Sequence, residues 1–152
     1  MTAREFLEEP GRLYNRARRL EERYNELFER ATSPRCALNL GDGLGVQSSG
    51  SGNARERLLV ELADAKRRYI EAELDYIECR QNVFEVLVNI DGLAGDVMIE
   101  RYIKLKTWED VCKAERVNLS WAGVHRIHRD GLKLVEALLT EKGISEYQYT
   151  LE

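Results

Sequence analysis

The feature that most constrains this chain is a run of apolar residues at alternating steps of four and three. Leu58, Leu62, Ala65, Tyr69, Ala72, Tyr76, Cys79, Val83, Val86 and Ile90 keep that rhythm without a slip. Such spacing draws one stripe along one side of an α-helix, so residues 54–91 are expected to form a single coiled-coil-like helix, opened by Asn53 with Glu56. At about 1.5 Å per residue it reaches on the order of 55 Å. A second file, Leu59, Ile70, Leu74, Ile77, Phe84, Leu87 and Val88, widens the apolar face toward the C-terminal half, which calls for three or more helices packed there.

The nearest cover lies upstream. Leu13, Ala17, Leu20, Tyr24, Leu27 and Ala31 form a second seam within an N-terminal helix expected over residues 1–31. Thr2 with Glu5 offers it a capping box, while Pro10-Gly11 should kink or interrupt it. This partner is shorter than the long helix, and each Leu, Val or Ile left bare forgoes roughly 1.5–3 kcal/mol of burial. A second copy of the chain is the simplest further cover. Leu58, Leu62, Tyr69, Tyr76 and Val83 are therefore expected at an oligomer interface, with a dimer favoured. Residues 32–53 lose all periodicity and are rich in Gly and Ser, as a flexible loop would be. They hold no GxxxxGK[ST] and follow no strand, so phosphate binding is not expected there.

Composition agrees with an all-α class: 43% hydrophobic, 33% charged and two prolines in 152 residues. A net charge of −4 argues against general nucleic-acid coating but leaves room for a local basic face. No apolar run approaches the roughly 18 residues of a membrane span, and no signal-peptide core is evident, so a cytoplasmic protein with no membrane partner is expected. Cys36, Cys79 and Cys112 are scattered and show no zinc spacing, even with His125 and His128 near Cys112 in sequence; reduced thiols, no metal and no cofactor are expected. The carboxylates sit at spacings suited to surface pairing, and no nucleophile, base and orienter assemble. An enzyme is not expected.

Residues 92–142 carry the chemistry. After the break at Asp91-Gly92, a helix from about Leu93 to Ile103 would pack through Val97, Met98, Tyr102 and Ile103. Thr107 is an N-cap, with Asp110 placed to reach back to the cap amide, and a short helix starts at Trp108. Arg116 to Leu119 break it, with Asn118 where a left-handed residue is needed. Ser120 caps a second helix opening at Trp121. Val124, Ile127 or His128, Gly131, Leu132, Val135 and Leu138 form its packing stripe. Trp121, Ala122, His125, Arg126 and Arg129 lie off that stripe.

Helix, tight turn, helix is the geometry that lays a second helix in the DNA major groove. Ser120, Trp121, Ala122, His125, Arg126 and Arg129 are the expected base readers, the arginines by forked bonds to guanine. Lys106, Thr107, Trp108 and Lys113 are the expected phosphate contacts. Trp121 is open to three roles: stacking on thymine methyls, meeting a partner protein, or folding back onto the core. Residues 143–152 form a tail without pattern.

The stretch ERYIKLKTWEDVCKAERVNLSWAGVHRIHRDGLKLVEAL also resembles a known family, region 4 of sigma-70-type transcription factors. The family pattern is a leading LRYxxxxSxxEIA, a turn, then SxxxVxxIxxxALxxL. Arg101-Tyr102, Thr107 to Val111, Ser120, Val124, Ile127, Gly131-Leu132 and Val135 fall on matching positions. Gly131 replaces the family's usual Ala, and Trp121 stands where small or basic residues are commoner. Behind a long helical segment in a short chain, this is similar to the sigma-like regulators of phages and prophages of Gram-positive bacteria, including the RinA and ArpU types that control late genes. The likeness is close over about the last third of the chain and extends to the rest only in layout.

The expected architecture is all-α: a long antiparallel, coiled-coil-like helical hairpin followed by a C-terminal sigma-70 region 4-like helix-turn-helix. The expected function is a sequence-specific double-stranded DNA-binding transcriptional regulator, phage or prophage encoded, acting in the bacterial host cytoplasm. The resemblance adds RNA polymerase as a partner. Two alternatives stand beside it: a phage small-terminase-like packaging subunit forming rings, and a helical protein-interaction module without DNA.

Overall fold

The computed structural model describes residues 1–33 and 51–143. Most of the expected 32–53 loop, with Cys36, and nearly all of the 143–152 tail lie outside the described residues. Among those described, every regular element is helical: α1 (Ala3–Thr32), α2 (Ser51–Leu87), α3 (Gly92–Met98), a π-helical turn (Ile99–Ile103), α4 (Trp108–Lys113) and α5 (Trp121–Lys142). The chain is all-α. No helix among the described residues is long and apolar enough to cross a membrane.

The start of α1 follows from its capping box. Thr2 Oγ1 accepts from the Glu5 amide at 3.2 Å, and Glu5 Oε2 accepts from the Thr2 amide at 2.7 Å. The Thr2 amide, and then the Thr2 hydroxyl, hold the Glu5 carboxyl below its usual range. Pro10 does not interrupt the helix as its sequence position implies: α1 runs through it to Thr32. A proline inside a helix costs about 3 kcal/mol through a lost amide bond and a ring clash. Here Ala3, Phe6, Leu7, Pro10 and Leu13 are all buried around it, and that apolar burial offsets the cost. Nor does Asn53 cap α2, which already begins at Ser51. The helix ends at Leu87, and Gly92 leaves the following turn with φ of 74°, a value that favours glycine.

The chain forms two compact units, one of Met1–Leu13 with the chain from Tyr76 onward, the other of Tyr14–Asp75. In the second unit Ala17, Leu27 and Ala72 are buried, and the Tyr24 and Tyr69 rings stack at 6.4 Å with 13° between their planes. Tyr69 donates to Glu21 Oε1 at 3.5 Å. Arg18 pairs with that carboxylate at 2.6 Å while lying over the Tyr14 ring. Leu58 and Leu62 are half-buried.

The described residues of the first unit hold two apolar clusters. One joins Phe6 and Leu7 to Val83, Val86, Leu87, Met98, Tyr102, Val135 and Leu139. Tyr76 is half-buried and Val83 is fully buried. The second cluster gathers Val97, Val111, Ala114, Val117 and Val124. Of the five residues expected at an interface between copies, Val83 is corrected to the core, while Tyr69 stacks within its own unit and Leu58, Leu62 and Tyr76 are half-buried. The second file, expected to widen the packed face, does so only at Leu87, which is buried; Leu59, Ile70, Leu74, Ile77, Phe84 and Val88 are exposed, and Val60 beside them is exposed as well.

Candidate nucleic-acid interface

Local chemistry sets α4 and α5. Thr107 Oγ1 accepts from the Asp110 amide at 3.3 Å and donates to Asp110 Oδ2 at 2.9 Å, so the carboxylate meets the cap hydroxyl, not the cap amide. Ser120 Oγ accepts from the Gly123 amide at 3.2 Å to open α5. Between them, the amides of Val117 and Asn118 both donate to the Ala114 carbonyl, and Asn118 takes φ of 41°. That conformation suits Asn, whose short polar side chain tolerates the left-handed region. Buried Val111, Ala114, Val117 and Val124 then fix the two helices against each other and against Val97 of α3.

On α5 the stripe Val124, His128, Gly131, Val135 and Leu139 is buried, which leaves Ile127 half-covered. Turned the other way are Ala122, Arg126 and Arg129, all exposed, and Lys133 extends the same four-three file by one turn. Nothing in the sequence marks Lys133, because base contacts are usually made from a helix start. Neither Arg126 nor Arg129 enters an ion pair among the described residues. Trp121 does not fold into the core: it is 55% exposed, and its ring rests on His125 at 4.6 Å. His125 is half-buried between Trp121 and Trp108, the latter also at 4.6 Å.

Behind this face lies a polar and aromatic layer. Arg101 stands over the Trp108 ring at 4.7 Å and donates to the Lys106 carbonyl at 2.7 Å. The Trp108 ring meets His128 edge-on at 4.7 Å. His128, 5% exposed, shares a 2.8 Å hydrogen bond with the Tyr102 hydroxyl. Burial, then the nearby positive charges of Arg4, His125 and Arg101, lower its pKa to about 4, so it is neutral at neutral pH.

The expected phosphate contacts prove unequal. Lys106 pairs with Glu100 Oε2 and Lys104 with Glu100 Oε1, each at 2.5 Å. Burial pushes the Glu100 carboxyl up, but the bonds and charges of the two lysines outweigh it and hold the group below its usual range. Lys106 is therefore tied to a buried anion, the Thr107 hydroxyl closes a cap, and Trp108 is half-buried among rings. Lys113 alone of the four presents an exposed charged side chain. Glu100 is legible in sequence only as a Glu-to-Lys pair four apart in ERYIK, and nothing in that spacing marks it as buried.

Four exposed positions, Ala122, Arg126, Arg129 and Lys133, thus share one side of a capped helix held by the apolar cluster beneath it. Compared with protein-family models, curated proteins and solved structures, the chain matches none.

Proposed function

We propose that this chain is a sequence-specific double-stranded DNA-binding regulator of transcription, in which residues 107–142 act as a helix-turn-helix of the sigma region 4 kind and α5 enters the major groove. In this reading α1 and α2 form the antiparallel hairpin that carries it, and the target is a promoter of phage or prophage late genes. The observation that carries the reading is the exposed pair Arg126 and Arg129, without carboxylate partners among the described residues, on the outward side of α5. A guanidinium fork matches guanine N7 and O6, and an alanine methyl at position 122 suits a thymine methyl. The major groove, about 12 Å wide, accepts one α-helix, and the tight connection at Asn118 keeps α4 clear of that outer side. Lys113 is the phosphate contact of the set.

Gel shift of fragmented phage genomic DNA at modest salt tests it. The expected result is selective retention of a few fragments by the parent chain and their loss with Arg126→Ala/Arg129→Ala. Retention of no fragment, or equal retention by parent and variant, overturns it.

A further inference from the structure

The exposed apolar side chains of α2 are not scattered. Val60 (64% exposed), Ile70, Leu74 (60%), Ile77 (53%), Phe84 and Val88 (56%) join with Ala63, Arg67 and Gln81 into a second file of unbroken four-three steps. In heptad terms Val60, Arg67, Leu74, Gln81 and Val88 hold the a positions, and Ala63, Ile70, Ile77 and Phe84 hold d. At 3.6 residues per turn this places them on the side of α2 away from Tyr69, Ala72, Val83 and Val86, which fall at c and f and are buried or half-buried. A monomer seldom leaves so continuous an apolar line bare.

The flanking charges say what covers it. The e positions are Asp64, Glu71, Glu78 and Glu85, and three of the g positions are Lys66, Glu73 and Arg80. Parallel copies set each g residue against the next e residue of the other chain. Lys66 then meets Glu71 of the partner subunit, and Arg80 meets Glu85 of the partner subunit, against one like-charged pair of Glu73 with Glu78 of the partner subunit. Antiparallel copies would set e against e, acid facing acid along the whole file. Gln81, whose Nε2 donates to Glu85 Oε1 of its own helix at 3.3 Å, meets its own counterpart only in a parallel, unshifted pair, and a polar a residue is a known device for fixing register. Arg67 is bonded to Asp64 at 2.7 Å and Glu71 at 3.1 Å on its own helix, which turns its charge toward the flank. The parts of α2 before and after Asp75 each carry one favourable pair.

We propose that α2 pairs in parallel and in register with α2 of a second copy through this outer file. The pairing is independent of DNA, so its test and that of the DNA reading fail separately.

Sedimentation of the full chain without DNA is the test. The parent is expected as a dimer at micromolar concentration. Leu74→Glu should weaken association by about 100-fold or more with unchanged helical circular dichroism, since two buried leucines become two facing charges. Lys66→Glu and Glu71→Lys chains should each associate weakly alone and regain the dimer when mixed. Val60→Cys, in a chain with Cys36→Ser, should form a disulfide-linked dimer on mild oxidation, because position 60 meets itself only in the parallel pair. A monomeric parent, a ring-sized assembly, an intact Leu74→Glu dimer or a failure of Val60→Cys to cross-link would overturn the proposal.

Discussion

The Tyr102 hydroxyl lies 2.8 Å from His128 Nε2, a bond between the π-helical turn and α5 that joins residues 26 apart in sequence. Both groups are buried, so removing one leaves the other without its partner. Tyr102→Phe should cost about 1–3 kcal/mol, the penalty of an unsatisfied buried polar group. Urea unfolding checks it, with helix content before the transition unchanged.

The same imidazole gives the fold a pH dependence. The unfolded chain takes up a proton at His128 near pH 6.5, whereas the folded chain resists it until about pH 4. Stability is full above the upper value, falls as pH drops through that window, and stops falling below it. Each pH unit between the two values is worth about 1.36 kcal/mol, so the full loss from this group is about 3 kcal/mol. Thermal melts across that range in the parent and in His128→Gln should show the slope in the first and a flatter curve in the second.

Two glycines separate a rigid obstacle from a soft one. A Cβ on Gly95 would sit 2.1 Å from the Ile90 carbonyl oxygen, whereas one on Gly131 would meet Met98 Sδ at 3.0 Å. The backbone cannot yield without reopening the turn before α3, but a methionine can adjust its rotamer. Gly95→Ala should destabilise by about 3 kcal/mol or more, in the range of overpacking and backbone displacement. Gly131→Ala should stay within about 1 kcal/mol of the parent, since helix propensity gained there opposes the crowding. Chemical denaturation of the two variants checks the order.

On α5 the arginines and the lysine of α4 should respond differently. Arg126→Ala or Arg129→Ala should cost about 1–3 kcal/mol on the preferred fragment and narrow its advantage over others. Lys113→Ala should weaken all fragments evenly and lower the salt slope by about 1. Binding titrations at several salt concentrations distinguish the two patterns.

What the sequence makes legible is what short-range physics decides. Thr2, Thr107 and Ser120 cap where their hydroxyls and following residues indicate, and Asn118 bends backward because few other residues do so cheaply. Packing overrides local rules elsewhere. Pro10 is a helix breaker by type, yet the burial of Phe6 and Leu7 around it holds α1 through. Leu105, half-buried, is forced to φ of 54° with nothing in its type to announce it. The two files of α2 have the same rhythm, so spacing alone does not say which one the chain covers itself. Glu100 is hidden for a similar reason: its neighbours in sequence fit an exposed helical ion pair equally well.

The Glu136 carboxylate on α5 accepts from the amide of Ala3, 133 residues earlier, at 2.9 Å. The first turn of α1, capped locally by Thr2 and Glu5, therefore cannot dock on α5 until α5 has been synthesised. In a nascent chain Phe6 and Leu7 can meet Val83, Val86 and Leu87 of α2 first, and their cover by Val135 and Leu139 is the last part of this cluster to be synthesised.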